Sequence, residues 1–170
     1  MKPPPSTASS VALRRLRVDD AHEMTAVLAD PALYTFTGGQ PPTEDDVEKR
    51  FAIKAPGQSP SGAENWLNYI VTLEPEQIMV GYVQATIEAG STTADVAWVI
   101  GTQWQGRGIA TAAMTQFLDV LRDHHITELT AHIHPDHIAS QRVAERLGLT
   151  RTGNIVDGEE SWSAELEPQL

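Results

Sequence analysis

Three titratable side chains stand where they could move a proton. Asp95 lies at the start of the apolar segment 94–100, and His132 and His134 alternate along segment 128–135. An imidazole, with an ordinary pKa of about 6.5, exchanges a proton near neutral pH, so a histidine here suits general acid–base catalysis. Because side chains alternate between the two faces of a strand, both histidines lie on one face. A purely structural histidine pair would fit this placement equally well. Because no third ligand has suitable spacing, we do not expect a metal site.

A glycine-rich turn at residues 104–113 offers a second kind of chemistry. Its sequence, "WQGRGIATAA", follows an apolar strand and opens an amphipathic helix. Glycine lets a bulky anion approach the backbone, and the free N–H groups at a helix N-terminus attract negative charge. The turn lacks the Gly-Lys-Ser/Thr ending of a P-loop, and Thr111 breaks the dinucleotide fingerprint. It therefore predicts a different phosphate cradle, with an ordinary strand-to-helix turn as the alternative.

The elements that position these residues follow from apolar periodicity and from cap and turn signals. Residues 36–46 and 55–65 are loops by their glycines and prolines. The first half of the chain then contains a strand at 11–18, a helix at 19–30 with an Asp cap, and a helix from the Thr43/Asp46 capping box to about Lys54. Three strands follow at 66–73, 78–87 and 94–100, and then a helix with Ile109, Ala113, Phe117, Val120 and Leu121 on one face. The last elements are a strand at 128–135, a helix from about His137 to Leu147 ended by Gly148, and a hairpin at 149–166 that turns at 157–160. This order predicts a mixed α/β sheet.

Size and composition favour one cytoplasmic domain. The chain has 170 residues, of which 41% are hydrophobic, enough for one sizeable core. We expect residues 1–10 to be a disordered leader and 11–170 to form the domain. The absence of cysteine excludes disulfides and thiolate nucleophiles and suits a reducing compartment. No segment is apolar for long enough to be a membrane span, and the start lacks a secretory signal.

The formal net charge of −11 bears on the choice of partner. Such a surface repels phosphate backbones and anionic membranes, so we expect neither nucleic acid nor a membrane to be a partner. It attracts small cations and basic peptides, although the charge could equally serve solubility alone.

Two motifs carry a resemblance to a known family. The stretch Gln105-Gly106-Arg107-Gly108-Ile109-Ala110 fits the pattern Gln/Arg-x-x-Gly-x-Gly/Ala, and "HPDHIASQRVAERLGL" at 134–149 is similar to Asn-x-x-Ser followed by a helix ending in Leu-Gly-Phe. In both, the chain resembles the GNAT superfamily of acyl-CoA-dependent N-acyltransferases. The resemblance implies a mostly antiparallel sheet with helices on both faces, and transfer of an acetyl group from acetyl-CoA to a primary amine by direct attack. The start and the serine of the second motif look most like the branch that acetylates ribosomal-protein N-termini and its small-amine relatives.

The same resemblance implies roles for individual residues. Backbone groups of the third meander strand would hold the pantetheine arm and polarise the thioester, the glycine-rich turn would wrap the pyrophosphate, and the second motif would complete the site. His132 or Asp95 would be the general base, and Ser140 would protonate the leaving thiolate. Trp98 as plain core and Ser140 as a helix-first-turn serine are the structural alternatives. The implied coenzyme contacts are Trp98, Val99, Ile100, Gln105, Gly106, Arg107, Gly108, Ile109, Ala110, Thr111, His137 and Ser140.

Three departures from the family pattern keep a second function open. His137 replaces the usual Asn, Ala144 stands where many members carry a tyrosine, and Ala112 stands where this branch often has Glu. The alternative is a GNAT-like domain that binds acyl-CoA as a sensor without transferring the acyl group. For an enzyme, we expect a small-molecule or peptide amine as acceptor, preferably cationic, and a homodimer is compatible with the sequence.

Overall fold

A computed structural model describes residues 10–168. Ser10 already belongs to the first strand, whereas residues 1–9 of the expected leader lie outside the described residues. Single turns of 3₁₀ helix, which the sequence did not predict, precede the first helix, follow it, and lie between β4 and α3. The main elements are β1 (Ser10–Arg15), α1 (Ala21–Val27), α2 (Glu44–Lys54), β2 (Glu64–Glu74), β3 (Ile78–Glu88), β4 (Thr93–Ile100), α3 (Ile109–Asp123), β5 (Glu128–Ile133), α4 (Ile138–Arg146), β6 (Thr150–Val156) and β7 (Glu159–Glu165).

The strands form one seven-stranded sheet in the order β1-β2-β3-β4-β5-β7-β6. Every neighbouring pair is antiparallel except β4 and β5, which run parallel. The predicted mixed, mostly antiparallel α/β fold is therefore confirmed. Within the described residues, no helix combines the length and the apolar character needed to cross a bilayer.

Helices cover both faces of the sheet, because successive strand residues point to opposite sides. On β2, Ile70 packs with α1 and α2, while its neighbour Val71 packs with the core built by α3 and α4. The two apolar clusters are thus separated by the sheet, which they hold in place from both sides.

Local signals in the sequence set several element ends. Thr43 and Asp46 form the expected reciprocal capping box at the start of α2. Gly148 follows α4 at a φ of 88°, which the left-handed position at a helix end favours for glycine. The terminal hairpin turns at Asp157 and Gly158, both at positive φ, as a two-residue turn requires.

Several boundaries differ from the sequence-based expectation, among them the end of the first strand, which was expected at residue 18 and lies at Arg15. The first helix covers only Ala21–Val27, and Asp20 at its N-cap makes no capping bond. Instead the Asp20 carboxylate accepts two hydrogen bonds from the Arg14 guanidinium and one from the Arg17 N–H. The expected strand at 128–135 ends at Ile133, so His134 lies beyond it.

Candidate active site

The site begins where two strands part. β4 and β5 are paired only over three residues, Thr93 to Asp95 against Glu128 to Thr130. Beyond this point residues 96–100 of β4 have no partner on the β5 side within the described chain, so backbone polar groups along that edge remain available to a ligand. A cleft of about 670 Å³ opens there between the two strands, the start of α3 and the start of α4.

The cleft gathers nearly all the residues that the sequence singled out. Arg107 is the exception: its side chain is exposed on the turn and does not line the cleft. The sequence-predicted residues that line it are Asp95, Trp98, Val99, Ile100, Gln105, Gly106, Gly108, Ile109, Ala110, Thr111, His132, His137 and Ser140.

The glycine-rich turn has the backbone geometry of an anion cradle. Gly106 and Gly108 have φ values of 76° and 77°, in the left-handed region that favours glycine. Gly108 is the N-cap of α3, so the N–H groups of the first helical turn lack intrahelical partners. The Gln105 side chain donates to the Ile100 carbonyl at 2.9 Å and fixes the turn to the end of β4.

An unpaired hydroxyl at the turn is consistent with a bound polar group. Thr111 Oγ1, in the first turn of α3, is buried and finds no hydrogen-bond partner among residues 10–168. A buried polar atom without a partner is costly, and a ligand oxygen would relieve that cost. The cradle thus fits a phosphate-containing group by its backbone, its helix dipole and this hydroxyl.

Further positive charge at the cleft comes from residues that the sequence analysis missed. Arg142 and Arg146 lie one turn apart on α4, and both line the cleft. Neither forms an ion pair in the described part of the chain. Their i, i+4 spacing was the available signal, since it places two side chains on one helix face.

The two candidate bases meet at the point where the strands part. Asp95 Oδ1 lies 3.4 Å from His132 Nε2, and the side chains are 47% and 39% exposed. Thr130 donates a hydrogen bond of 2.9 Å to the same carboxylate oxygen. On the other side of the imidazole, Nδ1 is 3.3 Å from Ser161 Oγ. The imidazole therefore has a carboxylate on its Nε2 side and a hydroxyl on its Nδ1 side.

The start of α4 carries a second, less polar cluster. His137 is the N-cap residue, and its Nε2 lies 3.3 Å from Ser140 Oγ. The Phe36 ring, from the loop before α2, stacks on the His137 ring at 4.6 Å and contacts His134 at 5.3 Å. Burial lowers the pKa of His137, and the nearby His134 lowers it further. His137 is therefore neutral at neutral pH, so its imidazole can both donate and accept hydrogen bonds.

Two small residues shape the site without lining it. Ala144 is fully buried in the core and supplies no hydroxyl to the cleft. Gly81 on β3 lies so close to β4 that an added Cβ would overlap the Val99 carbonyl oxygen. No sequence signal marked Gly81, because its constraint comes from the neighbouring strand.

Within residues 10–168, no group of three or more acidic or histidine side chains is arranged to hold a metal ion.

Comparisons with known proteins add a family context. The model of the acetyltransferase (GNAT) domain matches residues 10–150. The uncharacterized N-acetyltransferase YnaD of Bacillus subtilis (strain 168) is 27% identical over 125 residues, which cover 71% of this chain and 69% of that protein. The spermidine N-acetyltransferase of Vibrio cholerae, in complex with CoA and spermine, superposes with a TM-score of 0.75 at 16% identity, covering 92% of this chain and 95% of that one. The aminoglycoside acetyltransferase AAC(6')-Ib in complex with coenzyme A gives a TM-score of 0.74 at 21% identity, with 92% and 95% covered.

Proposed function

This chain belongs to the GNAT acetyltransferase family, and from that premise we propose that it transfers an acetyl group from acetyl-CoA to a primary amine. The observation that carries the proposal is the opening between β4 and β5, which joins the glycine-rich turn to the Asp95–His132 pair in one cleft. Coenzyme binding and proton removal, the two requirements of the reaction, are thus met by adjacent walls.

The coenzyme side uses backbone more than side chains. N–H groups of Gly106 through Thr111 bind the pyrophosphate, and the Thr111 hydroxyl gains the partner that it lacks. Arg142 and Arg146 supply positive charge for a further phosphate. The free edge of β4 holds the pantetheine arm, and an N–H near Val99 polarises the thioester carbonyl. That complexes of two structural relatives contain CoA supports this assignment.

The acceptor side removes a proton. A primary amine is protonated in water and attacks only in its neutral form, so a base is required. His132, which lines the cleft, accepts the proton, and the Asp95 carboxylate stabilises the imidazolium that results. The amine nitrogen bonds to the carbonyl carbon, the carbon–sulfur bond breaks, and the Ser140 hydroxyl protonates the thiolate. The second proton that the nitrogen loses on becoming an amide restores the Ser140 hydroxyl, directly or through solvent.

The finer assignments belong to this proposal. Relatives named for spermidine and aminoglycosides support a small amine as acceptor. A peptide N-terminus, the ribosomal-protein branch, a homodimer and a cytoplasmic location stay predictions from the sequence.

The test is a thiol-release assay with acetyl-CoA and a panel of primary amines, run beside thermal-shift measurements with CoA and with ATP. We expect CoA and not ATP to raise the melting temperature, and at least one amine to release CoA. Binding of CoA without release for any amine would instead favour the sensor function. Stabilisation by ATP alone would exclude both functions.

A further inference from the structure

Two cations on α2 form no ion pair within the described residues. Arg50 and Lys54 lie one helical turn apart, and Lys54 Nζ donates to Gln84 Oε1 at 2.9 Å. Neither residue forms an ion pair within the described residues, whereas Lys49 on the same helix pairs with Asp45 at 2.9 Å. The charge of Arg50 helps to lower the pKa of Asp46, one turn earlier on the helix. Lys54 is half-buried beside Arg50, and its hydrogen bond goes to an amide, which is unexpected in a chain with a net charge of −11.

These cations adjoin the acceptor side of the cleft. On β3, Gln84 pairs with Ala97 and Tyr82 pairs with Val99, and both β4 residues line the cleft. Neighbouring strands are only about 5 Å apart, so Gln84, which accepts the hydrogen bond from Lys54, lies one strand away from the cleft wall. Tyr82 lines both the cleft and a small cavity, about 20 Å³ in volume, that Arg50 and Lys54 also line.

The surroundings of the pair favour an incoming anion. Burial lowers the pKa of Lys54, and the charge of Arg50 lowers it further. The charged form of Lys54 is thus disfavoured until a negative group binds beside it. A carboxylate suits the two cations best, because a guanidinium and an ammonium both donate charge-assisted hydrogen bonds to its oxygens.

We propose that Arg50 and Lys54 bind a carboxylate of the acceptor, which would then be an amino acid or a similar small molecule bearing both an amine and a carboxylate. This inference rests on the proposed function, and it names the substrate class of that same cleft. The amine faces Asp95 and His132 while the carboxylate faces α2. The net charge does not oppose this, because charges farther away than a Debye length of about 8 Å are largely screened. The Asp46 carboxylate near Arg50 is exposed to solvent, so the half-buried Lys54 decides the selection.

The experiment compares acceptors that differ only in charge. Each proteinogenic amino acid is assayed for acetyl transfer beside its carboxamide, in which the carboxylate is neutral. For the best acceptor we expect kcat/KM to exceed that of its amide by about tenfold or more, as the loss of one charge-assisted contact implies. Lys54→Met, which keeps the apolar stem, should remove this difference through KM. Lys49→Met, an exposed lysine on the same helix, should preserve it.

Calorimetric binding of the same acids and amides separates this inference from the proposed function. Should no amine release thiol while an acid still binds the wild type better than K54M, the transferase proposal fails and the carboxylate site stands. The site is refuted when no acid binds, when amides or polyamines equal or surpass the acids in binding and transfer, or when K54M weakens acid and amide alike. If K54M does not fold, Arg50→Gln replaces it with the same expectations.

Discussion

Oδ1 of Asp95 lies 3.4 Å from Nε2 of His132, across the short parallel pairing of β4 with β5. Thr130 donates to the same oxygen, so the carboxylate is fixed where the two strands part. The two candidate bases are therefore one unit: a change to Asp95 alters the charge beside His132, and their effects on catalysis should not be additive.

Replacing the imidazole tests the base directly. His132→Gln should lower kcat/KM by about 10²- to 10⁴-fold, because the amine loses its proton acceptor. Asp95→Asn should reduce kcat/KM less, and the double variant should resemble H132Q. CoA affinity, measured by calorimetry, should stay unchanged in all three. Glu128→Gln, which removes an exposed carboxylate at the start of β5, is the matched control. Wild-type pH–rate profiles for H132Q would eliminate His132 as the base.

The glycine-rich turn can be tested at its left-handed position. Gly108→Glu should abolish CoA binding, because it adds a carboxylate at the phosphate cradle. An added Cβ meets nothing within 4 Å, so Gly108→Ala should cost only the backbone strain, about 1 kcal/mol. Gly158→Ala carries the same strain at φ 80° in the terminal hairpin and should leave CoA affinity intact. If G158A lost as much CoA affinity as the Gly108 variants, backbone strain and not the cradle would be responsible.

The stacking of Phe36 on His137 predicts a titration. Burial lowers the pKa of His137, so the wild-type ring should titrate below the usual value of about 6.5 in an NMR experiment. Phe36→Ala should raise that pKa by exposing the ring, and His134→Gln should raise it by removing a nearby charge. An unchanged His137 titration in F36A would rule out burial by Phe36 as the cause.

What the sequence predicted depended on local signals. The Thr43/Asp46 capping box, the glycine after α4 and the turn at Asp157 and Gly158 each involve residues a few positions apart. The phosphate cradle was predictable for the same reason, since its glycines, its helix start and its strand are contiguous.

What the sequence missed depends on contacts between distant segments. Asp20 looked like a helix cap, but its carboxylate binds Arg14 because β1 ends beside the first helix. The contact of Asp95 with His132 needed the register of β4 against β5. Phe36 came from a loop whose path no periodicity describes. Residue propensities and hydrophobic patterning do not describe contacts between segments that are distant in the sequence.

Gly81 is a steric requirement of the site. In Gly81→Ala the new Cβ would overlap the Val99 carbonyl, so β4 must shift at the cleft wall. We expect the free energy of unfolding to fall by about 1–3 kcal/mol and the KM for acetyl-CoA to rise. Gly90→Ala, in an open turn, should leave that KM unchanged. A G81A variant that keeps wild-type stability and KM would show that β4 is not constrained here.

The Arg14–Asp20 pair predicts how stability depends on pH. Burial raises the pKa of Asp20, but the hydrogen bonds from Arg14 and from the Arg17 N–H outweigh it, so the folded-state pKa is below its usual value. Because the side chain is only 5% exposed, Asp20→Asn should cost about 1–3 kcal/mol near neutral pH.

The pH window follows from the sign of that shift. A carboxyl whose pKa is lower in the folded protein binds fewer protons there, so its contribution is complete above the unfolded value of about 3.9 and disappears as pH falls through the folded value. Urea unfolding of the wild type and D20N should therefore differ by a constant amount from neutral pH down to about 4, and then converge. Asp45→Asn, which breaks the exposed pair with Lys49, should change stability little at any pH. If the wild-type and D20N curves were parallel through the acid range, the Asp20 carboxylate would not be the stabilising group.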